Sequence, residues 1–290
     1  MITWRFIDSG PCDAACNMAL DEAIALSVRK GEAPPTLRLY GWCRPSVSLG
    51  SFQKITDINV PYCTLCRIPI VRRPTGGRGI LHGDELTYSF SAKNEYPFSR
   101  GLLDTYREIS KAFSSALSML GLEVEVKRER EPGRNPTRSP LCFQSTSFGE
   151  ISVKGKKLIG SAQKRWQDGF LQQGSIPYSI DCEQLEAVFK VRSKVNSESA
   201  SRVTHYASRP SAMVGLKELI PGFNQEEFKA CLRRSFERSF GITLADVPLS
   251  PQEQALAQGL LLEKYQDRQW TEGASGRAGS CSNTEMPKRA

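Results

Sequence analysis

Residues 71–90 read VRRPTGGRGILHGDELTYSF, and the fold class turns on how this stretch is parsed. Arg72 and Arg73 precede a Thr75-Gly76-Gly77-Arg78-Gly79 turn, His82 follows it, and ELTYSFSA from Glu85 reads as a strand. Glycines let a backbone turn through positive φ and bring its N–H groups close to a ligand. Arg72, Arg73 and Arg78 add planar fork-shaped donors suited to a carboxylate, a phosphate or a carbonyl. The stretch is neither GxxxxGK[ST] nor a GxGxxG ahead of a helix, so glycine alone makes no nucleotide site. Two readings stand at this point, a binding loop and a glycine hairpin with solvated arginines. His82 serves either as a base or as a hydrogen-bonding partner of a neighbouring loop; with only 2 histidines in the chain it is a poor metal ligand.

Outward from the loop, strands dominate the first two thirds. TWRFID (Thr3–Asp8), LRLYGW (Leu37–Trp42) and SVSLGSF (Ser46–Phe52) read as strands, the last two around the turn Cys43-Arg44-Pro45. Asp13 to Lys30 carries apolar and small residues at helical spacing and ends on Arg29, Lys30 and Gly31. Leu103 to Leu120 forms a second helical stripe. LEVEV (Leu122–Val126) suits an edge strand, EPGRNPTRSP (131–140) a loop, EISVKGKKLIGSAQ a strand pair turning at Gly155, and GFLQQGSIPYSI another strand. Segment 192–211 is polar and aperiodic, and is expected to be a mobile loop. Asn224 with Glu227, and Ser250 with Pro251 and Glu253, carry N-cap chemistry for two C-terminal helices. From about Thr271 the tail has nothing to bury and is expected to be disordered. Runs of strands with flanking helices predict an α+β fold on a mixed, largely antiparallel sheet, one domain over 1–272 and a tail over 273–290.

Composition narrows the setting. No basic stretch leads into an apolar run at the start and no 18 consecutive apolar residues occur, so a cytoplasmic protein without a membrane span is expected. Nine scattered cysteines in a chain of 290 residues read as reduced thiols rather than a disulfide framework. A zinc site from Cys12, Cys16, Cys63 and Cys66 ranks below buried thiols. The net charge of +8 favours acidic partners, but no nucleic-acid-binding motif accompanies it.

Three motifs then carry a resemblance. RRPTGGRGILHGDELTYSF, PSVSLGSFQ (Pro45–Gln53) and GKKLIGSAQKR (Gly155–Arg165), in this order, resemble the lipoate and octanoate protein ligase and transferase family, related in fold to biotin protein ligases, over about Thr3 to Gly273. The resemblance implies an α+β domain whose sheet bends around a tunnel for a medium-length acyl chain. It implies that Arg72, Arg73, Thr75, Gly76, Gly77 and His82 line the acyl and carbonyl site, together with the Gly160-Ser161-Ala162 turn. Lys157, just ahead of that turn, is implied to sit at the reacting carbonyl. An apolar tunnel with a cationic mouth is expected, because burying six methylenes at ~0.8 kcal/mol each supplies roughly 5 kcal/mol.

Within the family the choice lies between a lysine that handles an acyl-adenylate made with ATP and a cysteine that accepts an acyl group from a thioester. Cys142 in Leu-Cys-Phe, ahead of the Lys157 motif, resembles the nucleophile of the cysteine-dependent octanoyltransferase branch. That branch implies octanoyl-acyl carrier protein as donor, a lipoyl domain or the glycine-cleavage H protein as acceptor, and no cofactor, since the donor carbonyl is already activated. A free thiol of pKa near 8.5 is only a few per cent thiolate at neutral pH, so Lys157 is expected to favour its ionised form and shuttle protons. Gly76 and Gly77 are candidate oxyanion donors. Arg130, Arg134, Arg138 and Lys164 are expected to steer acidic partners. Two departures are visible: Gln172-Gln173-Gly174-Ser175 where relatives commonly read Gln-His-Gly-Ser, and Gly149 where they carry tyrosine or similar. No further C-terminal domain of the kind many ATP-dependent ligases carry is expected, and on that expectation the transferase is favoured. The alternatives are an ATP-dependent lipoate ligase in which Cys142 is a bystander, and a non-catalytic protein that scaffolds lipoylated partners.

Overall fold

The computed structural model describes residues 2–127, 149–189 and 212–273. Cys142, Arg130, Arg134, Arg138, the 131–140 loop and the 192–211 segment lie outside the described residues.

In chain order the elements begin with β1 (Ile2–Cys12), α1 (Ala14–Lys30), β2 (Thr36–Trp42), β3 (Ser46–Leu49), α2 (Val60–Leu65), β4 (Ile70–Arg72), β5 (Ile80–His82) and β6 (Glu85–Lys93). There follow α3 (Leu102–Met119), β7 (Glu125–Val126), β8 (Ile151–Val153), β9 (Lys156–Arg165), β10 (Gly169–Pro177), α4 (Cys182–Val188) and α5 (Leu216–Leu219). The chain closes with α6 (Gln225–Phe240), β11 (Ile242–Asp246), α7 (Pro251–Leu260) and α8 (Arg268–Glu272). The larger sheet has 8 strands in the order β11-β1-β2-β6-β10-β9-β8-β7, and the smaller has 3 in the order β4-β3-β5. In the larger sheet pairing is parallel at β11/β1 and β1/β2 and antiparallel from β2 onward; in the smaller, β3 runs parallel to β4 and antiparallel to β5. The mixed, largely antiparallel sheet of the sequence reading is therefore present. The two strands read around Cys43-Arg44-Pro45 are present as well, β2 in the large sheet and β3 in the small one.

Side-chain alternation gives the large sheet two different faces. Leu37 and Leu39 of β2, Leu86, Tyr88 and Phe90 of β6, and Phe170 and Ile176 of β10 pack with Ile109, Phe113, Phe228 and Phe236 of α3 and α6 into the main core. The intervening residues Arg38 and Tyr40, Thr87 and Ser89, Gln173 and Ser175 are also buried, on the side that faces α1. Their polar groups need partners there, and Asp21 of α1 supplies them for Arg38, Tyr40, Ser89 and Gln173. Its carboxyl accepts from Arg38 Nη1 at 2.7 Å, Ser89 Oγ at 2.6 Å, Tyr40 Oη at 2.8 Å and Gln173 Nε2 at 2.6 Å. Burial, and then the Asp21 carboxyl, push the Tyr40 hydroxyl well above its usual pKa.

The ends of the helices follow their residues. Gly31 closes α1 in the left-handed conformation, Asn224 caps Glu226 and Glu227 of α6, and Ser250 with Glu253 forms a reciprocal capping box on α7. The tail departs from expectation at its start: Thr271 belongs to α8, and its carbonyl accepts from Arg72 Nη2 at 2.8 Å. Residues from 274 onward lie outside the described set. Among the described residues no helix is long and apolar enough to cross a membrane.

Candidate active site

A narrow cleft opens between the polar face of the sheet, α1 and the arginine-glycine loop. Met18, Tyr40, Trp42, Thr87 and Gln173 form its inner wall, Gly160, Ser161 and Ala162 its β9 side, and Ser48, Arg73, Ile80 and His82 its loop side. The loop stays close because Gly50 and Gly77 touch backbone to backbone. A Cβ at Gly50 would lie 1.9 Å from the Gly77 carbonyl oxygen, so only glycine fits. Thr75 Oγ donates to Gln173 Oε1 at 2.8 Å, tying the loop to β10.

The two arginines ahead of the turn have different jobs. Arg73 Nη1 donates to Ser48 O and Ser48 Oγ, each at 3.0 Å, while Nη2 donates to the carbonyls of Gly76 and Arg78, each at 2.7 Å. It shapes the Thr75–Arg78 turn from beneath and lines the cleft. Arg72 departs from its expected role: it is absent from the cleft wall and bonds the carbonyls of Gly50, Ser51, Gln53, Trp270 and Thr271 at 2.7–3.3 Å. Five oxygens from two distant segments outbid any single anion for its fork. Burial pulls its pKa below the usual arginine range.

His82 is buried and hydrogen-bonded at both ring nitrogens. Nδ1 lies 2.8 Å from Glu85 Oε1 and Nε2 2.7 Å from Ser48 Oγ, and the ring stacks on Trp42 at 3.9 Å. With Nδ1–H donating to the carboxyl, a neutral ring accepts at Nε2 from the Ser48 hydroxyl, whose oxygen in turn accepts from Arg73. Glu85 Oε1 also accepts from Thr87, and Oε2 accepts from Ser175 Oγ at 2.7 Å. The cleft wall is thus part apolar and part polar: alternate strand residues on this face had to find polar partners, and they found one another.

Lys157 reaches the cleft side of the sheet through a β-bulge. Ile159 pairs with Ile151, yet Lys157 pairs with Ser152, leaving Leu158 as the extra residue. Cross-strand partners share a face, so Lys157 projects opposite to Ile151 and Ile159, which lie in the main core. Without the bulge the two-residue period would place Lys157 among them. Gly160 and Ala162, opposite in phase to Ile159, share the cleft side with Lys157. Val214 N donates to the Lys157 carbonyl at 3.1 Å, and Met213 beside it packs on Ile80 of the cleft. Lys157 Nζ donates to Glu150 Oε1, with the two side chains only 2% and 5% exposed. Ser161 points to the opposite face and bonds Tyr88 Oη at 2.7 Å.

Of the sequence-named residues, Arg73, His82, Gly160, Ser161 and Ala162 meet at the cleft; Thr75 braces it, and Lys157 lies beside it. Glu150, Ser48, Asp21 and Glu85 escaped the sequence reading. Ser48 and Glu85 lie inside the quoted motifs with no role assigned to them, and Glu150 follows Gly149.

The comparisons agree with this architecture. The model of the lipoyl protein ligase A/B catalytic domain family matches residues 13–237. Octanoyltransferase LipM of Halalkalibacterium halodurans is 37% identical over 277 residues, covering 93% of this chain and 99% of that relative. Octanoyltransferase LipM of Geobacillus kaustophilus is 37% identical over 275 residues, covering 92% and 97%. A bi-partite lipoate protein ligase of Thermoplasma acidophilum superposes with a TM-score of 0.74 at 22% identity, covering 94% of this chain and 97% of that one. With motif, sheet and cleft in agreement over this span, the chain belongs to the lipoyl protein ligase A/B catalytic domain family.

Proposed function

We propose that the chain is an octanoyltransferase of protein lipoylation, taking its octanoyl group from an acyl carrier protein and delivering it to a lysine of a lipoyl domain or glycine-cleavage H protein. The observation that carries this is the near full-length kinship with octanoyltransferases, combined with a lysine buried beside the narrow cleft.

In the first step the Cys142 thiolate attacks the donor thioester carbonyl. A bond forms between Cys142 sulfur and the acyl carbon, the bond to the carrier sulfur breaks, and the Lys157 ammonium hands its proton to the departing thiolate. In the second step the acceptor amine attacks the Cys142 thioester, its surplus proton returns to Lys157, and Cys142 leaves as thiolate. The reaction runs downhill because an amide is more stable than a thioester. Arg73, with the Thr75–Arg78 turn it holds, braces the cleft that takes the chain.

The second reading is an ATP-dependent lipoate ligase, favoured by the fold shared with the Thermoplasma ligase. The chain mixed with octanoyl-carrier protein and a lipoyl domain, without nucleotide, is expected to yield an octanoylated domain, measured by mass. Product that forms only from free octanoate and ATP would replace the first reading with the second.

A further inference from the structure

We infer that Glu150 is a positioning residue for the transfer, holding Lys157 Nζ at the reacting carbonyl; the inference rests on the proposed octanoyl transfer through Cys142 and Lys157. A buried lysine–carboxylate pair adds little stability compared with apolar residues of the same volume, so stability alone does not account for it. The backbone around Glu150 is built to hold it. Gly149 N donates to Lys127 O at 3.0 Å, Lys127 N donates to Glu150 O at 3.1 Å, and Ser110 Oγ of α3 donates to Gly149 O at 2.8 Å. Gly149 sits at φ +80°, where a Cβ would come within 2.9–3.2 Å of Tyr106 Cβ, Cδ1 and Cγ. The Tyr106 ring thus packs where a side chain at 149 would go, and the chain is turned so that Glu150 meets the lysine.

Both ends of the pair are therefore fixed, Glu150 by α3 and the β7 edge, Lys157 by the bulge and Val214. A lysine side chain has four rotatable bonds and a compact charge, and it loses positional precision unless something holds the head group. Glu150 supplies that hold and the counter-charge, while the proton that moves stays on the nitrogen's account: it leaves Nζ for the carrier sulfur and returns from the acceptor amine, and the carboxylate is unchanged at the end of the cycle.

The test compares wild type with Glu150→Gln, Glu150→Asp, Lys157→Met and the Glu150→Gln/Lys157→Met double variant in the full chain, using octanoyl-carrier protein and a lipoyl domain. Glu150→Gln is expected to lower kcat by about a hundredfold with KM for the donor within about twofold. Glu150→Asp, which keeps the charge, is expected to recover part of the loss. In the Lys157→Met background Glu150→Gln should cost nothing further, because the two residues act as one unit. Wild-type kcat in Glu150→Gln, or an undiminished loss in the Lys157→Met background, overturns the inference. Should Glu150→Gln fail to fold, Glu150→Asp decides: reduced kcat at unchanged KM supports the inference and wild-type kcat overturns it. A wild-type chain that octanoylates nothing takes down the transfer reading and this inference together, whereas wild-type turnover with an indifferent Glu150→Gln removes this inference alone.

Discussion

At the scale of single residues, chemistry and architecture divide between neighbours that look alike in sequence. Arg72 and Arg73 are the same residue type one position apart, yet Arg72 ends β4, Arg73 follows it, and the two side chains take different partners. Arg73 shapes the cleft, and Arg72 locks the Gly50–Gln53 loop to α8. Replacing Arg72 by methionine strands five carbonyls, so Tm should fall by about 5 °C or more while KM for the octanoyl donor stays near wild type. A raised KM with an unchanged melt would return Arg72 to the binding role its motif suggests. The motif made Arg73, Thr75, His82 and Lys157 legible. It hid the partners, because Trp270, Thr271 and Glu150 lie far from it in sequence or in an uninformative context.

At the scale of elements, caps and glycine stops were readable because each depends on residues within a turn of one another. Asn224, Ser250 with Glu253, and Gly31 mark their helix ends in sequence and in structure. The bulge at Leu158 was not readable, since it is defined by the register of β9 against β8, and no local pattern encodes it. The same holds for the short approach to β8, where Gly149 takes a positive φ. A Gly149→Ala change would force a Cβ against Tyr106 at positive φ. It should cost about 1–3 kcal/mol of stability and displace Glu150, lowering kcat more than KM. Urea unfolding together with steady-state kinetics checks both effects; unchanged kcat would mean that the geometry of Glu150 is not set here.

At the scale of the whole molecule, the mixed sheet was legible from the succession of strands and flanking helices, but its parallel edge was not. Joining β1 to β11 pairs Ile2 with Ile242, far apart in the chain, and periodicity says nothing about partners. The same closure is reinforced by an ion pair: Arg5 of β1 grips both oxygens of Glu253 of α7, at 2.7 and 2.6 Å. Burial pushes the Glu253 carboxyl up, and the bonds from Arg5 and Ser250 more than offset this, leaving it below the usual glutamate range. A carboxyl depressed in the folded state contributes stability that is full above its unfolded pKa of about 4.3 and is lost as pH falls through the lower folded value. Glu253→Gln should therefore be less stable than wild type at pH 7, and the gap in urea unfolding free energy should close as pH falls below about 4. A gap independent of pH would contradict this.

In the proposed transfer these parts serve one chemical event, the passage of an acyl group through the Cys142 sulfur. Intact-mass measurement after brief mixing with octanoyl-carrier protein, with no acceptor and no nucleotide, observes that event directly. The wild-type chain should gain the mass of one octanoyl group, lost on hydroxylamine treatment, and Cys142→Ser should gain nothing labile to hydroxylamine. An adduct that persists unchanged in Cys142→Ser, or a wild-type chain that gains no mass while still octanoylating a lipoyl domain, would contradict the account.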